Sequence, residues 1–166
     1  MSDRAAPASL GDLLQGEHTL IWAFRSIAFG AGGCPLLRRQ FEDICGPAAG
    51  TEAFNALSVF VRELGLHGRR KITLHVPGSF RLSRDEQLIL AAFAAAQDED
   101  YARLEAHLAW LIASEPSGVF GAAACLVAQA MAMNDLRLRA PQVTSAPLRP
   151  ALNFDNDVVI PFPATA

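Results

Sequence analysis

Two segments of this chain carry no polar face. From Leu88 to Ala96 the sequence reads LILAAFAAA, and from Val119 to Met133 only Gly121 and Gln129 interrupt an apolar run. A helix that is apolar all round has to sit inside a protein, inside a bilayer or against another chain. The second run spans about fifteen residues where a bilayer asks for about twenty, so the sequence predicts buried helices and no membrane span. Amphipathic neighbours must then wrap these two helices, or a second subunit must complete their burial.

The chain has enough length to do the wrapping. Its 166 residues, 51% hydrophobic and 19% charged, suit one folded domain with a sizeable core. Apolar residues recur at helical spacing from Glu17 to Phe29, where Glu17, His18 and Arg25 supply the polar ground and the glycines of GAGG (30–33) make the break. Pro35 suits the first turn of a helix lined by Leu37, Phe41, Ile44 and Cys45, because a proline there loses no hydrogen bond. GPAAG (46–50) then reads as a loop, with Thr51 as cap of a helix through Phe54, Leu57, Phe60 and Leu64 that Gly65 ends.

Ser83-Arg84-Asp85-Glu86 is the clearest helix start, since a serine and a glutamate three residues on satisfy each other's exposed amides. Asp98 reads as the cap of the following helix, striped by Leu104, Leu108 and Leu111. Ile72 to Val76 favours β structure, and the only other strand-like run is Asp157 to Phe162. The two could form a small ribbon or remain extended loop. The sequence thus predicts an all-α, irregular bundle of about six to seven helices around two central apolar ones. Residues 1–140 form the single helical domain, and 141–166 form an extended, proline-rich apolar tail that packs on the domain or on a partner.

Chemistry is less legible. No nucleophile elbow, phosphate loop, dinucleotide fingerprint or HExxH pair occurs, so no catalytic residue is assigned and no cofactor is called for. Cys34, Cys45, His67 and His75 are the residue types that hold a tetrahedral metal. However, Cys34 and Cys45 fall at opposite ends of one predicted helix, against the close pairing of structural zinc sites. Cys34, beside a glycine at a helix start, reads as a packing or capping residue before it reads as a nucleophile.

The net charge of −3 gives no global footprint for a polyanion, yet Arg62, Arg69, Arg70, Lys71, Arg81 and Arg84 fall in one stretch and acids dominate the next. Arg69, Arg70 and Lys71 are the candidate contacts to an acidic partner or to nucleic acid. Residues 72–93 place a strand, a turn and a capped helix in an order loosely like winged-helix regulators, but the helices that follow carry alanine, leucine and acid where a recognition helix needs donors. Nucleic acid is therefore the weaker expectation.

Three cysteines without a CxxC pair, and an N-terminus lacking the apolar core of a secretory signal, point to the cytoplasm. Two readings of function follow. The first is a non-enzymatic helical interaction or regulatory domain, a homodimer or a binder of another protein. The second is a small-molecule or metal-binding helical protein, with an enzyme among its forms. Its pocket would be lined by Trp22, Phe24 and Phe60, with polar contacts from His18, Cys34 or His75.

Overall fold

The computed structural model describes residues 9–68, 71–112, 118–139 and 160–161, the last two as backbone. Among these residues the chain is all-α: α1 (Gln15–Ser26), α2 (Pro35–Cys45), α3 (Pro47–His67), α4 (Arg84–Gln97), α5 (Tyr101–Leu111) and α6 (Gly118–Ala132). Two short strands, β1 (Thr73–Leu74) and β2 (Ile160–Pro161), pair antiparallel, with Thr73 opposite Pro161. The rest of the tail, including Leu152, Phe154, Val158 and Val159, lies outside the described residues.

α4 is the centre. Every residue from Ile89 to Ala96 is buried, as its unbroken apolar run demands. Packed phenylalanines join four helices around it: Phe60 of α3 stacks on Phe120 of α6 at 4.3 Å, lies 4.7 Å from Phe93 of α4, and meets Phe24 of α1 edge-on at 6.2 Å. Such ring pairs add to the apolar area they remove from water.

Several boundaries differ from the expectation, for local reasons. GPAAG is not a loop. Gly46 alone makes the turn at φ +85°, and α3 begins at Pro47, whose missing N–H costs nothing in a first turn. The hydroxyl of Thr51, predicted as a cap, instead donates to Glu42 Oε1 at 2.9 Å. α3 also runs through Gly65, because Leu64 and Gly65 are both buried and packing overrides a single glycine. The cap of α5 is Asp100, which accepts from Arg103 N, while Asp98 closes α4. α1 ends in a widened π-type turn, Ile27–Ala31, where Gly30 takes φ +98°.

After α6 the chain returns to the start of α1. Gln97 holds this strap, donating to Leu136 O at 2.9 Å and accepting from Leu138 N at 2.8 Å. Glu17 then accepts from the main chain and guanidinium of Arg139, with Oε1 to N at 2.8 Å and Oε2 to Nη2 at 2.8 Å. Burial alone would raise the Glu17 pKa, but the hydrogen bonds from Arg139 and Leu14 outweigh it and hold the carboxyl below its ordinary value. A depressed carboxyl contributes stability that is complete above its unfolded pKa and is lost as the pH falls through the lower folded one. Glu17→Gln is therefore expected to cost about 1–2 kcal/mol at neutral pH and to flatten the acid limb of a stability–pH profile read by urea denaturation.

Candidate interaction surface

α6 packs by one face only. Phe120, Ala123, Ala124, Val127, Ala128 and Met131 are buried against the phenylalanine cluster and α4. The opposite face presents Val119, Ala122, Leu126, Gln129 and, one residue beyond the helix, Met133, all exposed. Val119 is 56%, Leu126 50% and Met133 75% exposed. These five positions follow one another at steps of three and four residues, which sets them in a single line along a helix. No charged residue occurs between Gly118 and Met133. The bundle covers α4 on every side from Ile89 to Ala96 and leaves this second apolar helix half wrapped.

The chain's other polar feature is buried. Arg25, expected on the solvent side of α1, is 1% exposed and pairs with Glu86, which is 0% exposed. Its Nε donates to Glu86 Oε1 at 2.6 Å and its Nη2 to Oε2 at 2.9 Å. Glu17 likewise is 2% exposed, so of the three polar residues assigned to that face only His18 stands in solvent. Glu86 also accepts from Ser83 N and His75 N, and Ser83 Oγ accepts from Glu86 N, which realises the predicted capping box.

Asp85 accepts from Thr73 N at 2.8 Å. The acidic start of α4 thus grips the basic loop through main-chain N–H groups and through Arg25. No buried side-chain nitrogen or oxygen among the described residues lacks a partner, which marks the cluster as a finished structural joint. One local signal points to it: Arg25 is the sole charge within the apolar run IWAFRSIAF.

The predicted site residues scatter. Cys34 precedes α2, Cys45 ends it, and the exposed His67 closes α3 beside Glu63 at 3.6 Å. His75 is buried in the loop over α4. Among the described residues no three His, Cys, Asp or Glu side chains gather as a metal-holding group. Burial raises the thiol pKa of Cys45 and Cys125, keeping both protonated.

Of the predicted pocket residues, Phe24 and Phe60 belong to the core, whereas Trp22 and Cys34 share an open groove of about 520 Å³ with Ser26, Leu37 and Gln40. Lys71 is exposed, and Arg69 and Arg70 fall outside the described residues. From Ile89 to Ala96 α4 has no exposed residue with which to read a DNA groove. Comparison of the chain with protein-family models, curated proteins and solved structures finds no match. No helix among the described residues is long and apolar enough to cross a membrane.

Proposed function

We propose that this chain is a non-enzymatic helical interaction domain that self-associates as a homodimer through α6, in a reducing compartment such as the cytoplasm. The uncharged line Val119, Ala122, Leu126, Gln129 and Met133 carries the reading. A charged or shape-specific partner would be met by charged residues on the helix, whereas this line is complementary to itself. Val119 and Met133 each lie seven residues from Leu126. A two-fold axis through Leu126 therefore sets Val119 of one copy against Met133 of the other and Leu126 against itself. That arrangement runs the helices antiparallel, as their dipoles favour, and Ala122 and Ala132 leave room for close approach. Free cysteines at 34, 45 and 125 support the reducing compartment.

The expected strength follows from size. Burying the exposed halves of three apolar side chains per copy contributes about 1 kcal/mol each, or about 6 kcal/mol for the pair. The alanines and aliphatic stems along the same line add a gain of about the same size, and lost translational and rotational freedom offsets about half of the sum, so the dimer should exchange, with a Kd of about 10–100 µM.

Disulfide trapping tests the geometry. In a background of Cys34→Ser, Cys45→Ala and Cys125→Ala, Leu126→Cys should cross-link to itself under mild oxidation and Val119→Cys should not. Equal trapping at both positions would mean a parallel pair, and trapping at neither would remove α6 as the interface.

A further inference from the structure

We propose that Phe80 is the anchor of a second interaction surface, one that fits an acidic patch around an apolar pocket on a partner protein. This rests on a different observation from the self-association of α6. Phe80 is 78% exposed, more than any other large hydrophobic residue described. Yet its main chain is held from both sides. Arg25 Nη1 donates to Ser79 O at 2.8 Å and Nη2 to Arg81 O at 2.6 Å, so one buried guanidinium fixes the carbonyls on both sides of the ring.

Leu10 N donates to Phe80 O at 2.7 Å, and Ser9 bridges Arg81. Ser79 N closes the Pro77-Gly78 turn on Val76 O at 3.0 Å, with Gly78 at φ +92°. A flexible loop would let a phenylalanine fold back onto the surface. This one holds the ring out in water, and a ring already held in place loses little freedom when a partner covers it.

Charge names the partner's chemistry. From Leu64 to Arg84 the sequence contains no Asp or Glu. Asp85 and Glu86, which follow, are 3% and 0% exposed and are occupied by Thr73 N, His75 N and Arg25. Lys71 and Arg84 are exposed. The bond from Ser83 Oγ to Thr73 O at 2.6 Å draws the two ends of the segment together, so Lys71 and Arg84 flank one region. In a chain of net charge −3, the exposed charged residues described between Leu64 and Glu86 are therefore all basic, and Asp12, on the segment bonded to Phe80, is engaged by Ser9 N and Oγ. A central aromatic anchor with a charged rim is the anatomy of a protein-binding hot spot. Single-stranded nucleic acid is better served by a groove with several stacking rings, and this surface offers one ring on a convex turn.

A display library of random 16-residue peptides, panned against the full chain and against Phe80→Ala, tests the proposal. Phe80→Ala removes an exposed ring and should leave the melting temperature unchanged, so lost binding cannot be blamed on misfolding. Enriched peptides should carry excess Asp and Glu around apolar residues. They should bind Phe80→Ala at least tenfold more weakly and lose affinity as salt rises. The proposal is overturned by no enrichment, by peptides without an acidic bias, or by binding within twofold for Phe80→Ala. Phe80-dependent retention of labelled oligo(dT) in place of peptides would also overturn it, in favour of nucleic acid.

Discussion

Gly50→Ala is expected to be among the most damaging single-methyl changes at the described residues, costing about 3 kcal/mol or more. α2 and α3 cross where Gly50 lies against the preceding helix. A Cβ there would stand 2.3 Å from the carbonyl oxygen of Phe41 and 2.5 Å from the main chain of Glu42. Those atoms are backbone and cannot rotate away, so the helices would have to part and disturb the Phe41–Phe54 ring pair, now 6.0 Å apart. For a chain of this length the loss corresponds to a fall in Tm of about 6–12 °C. Gly33→Ala is the control, because a Cβ at Gly33 meets nothing within 4 Å. It should move stability by less than about 0.5 kcal/mol. A Gly50→Ala melting temperature within a degree or two of the native protein would show that the crossing is looser than described.

Arg25→Met is the second large effect, expected at about 3–5 kcal/mol. The substitution leaves the Glu86 carboxylate buried without its cation, and it leaves the carbonyls of Ser79 and Arg81 without their donor. Most of the cost is the stranded charge, so the damage should not be additive with its removal. In a denaturant double-mutant cycle, Arg25→Met and Glu86→Gln together should cost less than the sum of the two singles by more than about 1 kcal/mol. Additive losses would mean that the pair contributes as two independent caps instead of one joint. The ion pair is not needed for net stability, since well-packed apolar groups often do as well. What it delivers is a fixed position for residues 79–81.

The fold was largely legible because its signals are local. Pro35 after Cys34, the Ser83–Glu86 box and the featureless run of Leu88 to Ala96 each act within one turn of helix. The failures share a cause as well. Thr51 and Asp98 have the right residue types for N-caps, but which of several neighbours is used depends on packing that begins residues away, as at Gly46 and Asp100.

Arg25 and Glu17 looked like surface because charged residues mostly are surface. Their partners, Glu86 and Arg139, lie 61 and 122 positions along the chain, beyond the reach of any periodicity. The apolar character of α6 was visible at once. Which of its faces the bundle would leave uncovered was not, because that depends on how α3 and α4 pack against it. The collected Cys34, Cys45, His67 and His75 illustrate the converse: suitable chemistry in sequence has no force until the fold brings it together.

Sedimentation velocity of the full chain from about 1 to about 500 µM, alongside Leu126→Glu, bears most directly on the role of α6. The native protein should move from a 17.8 kDa species to one of twice that mass, with a midpoint of about 10–100 µM. Leu126→Glu should remain at 17.8 kDa throughout, because the two-fold axis would set two carboxylates side by side. A native chain that stays monomeric at about 500 µM, or a dimer that Leu126→Glu leaves intact, would contradict the assignment of α6 as the surface through which this protein meets itself.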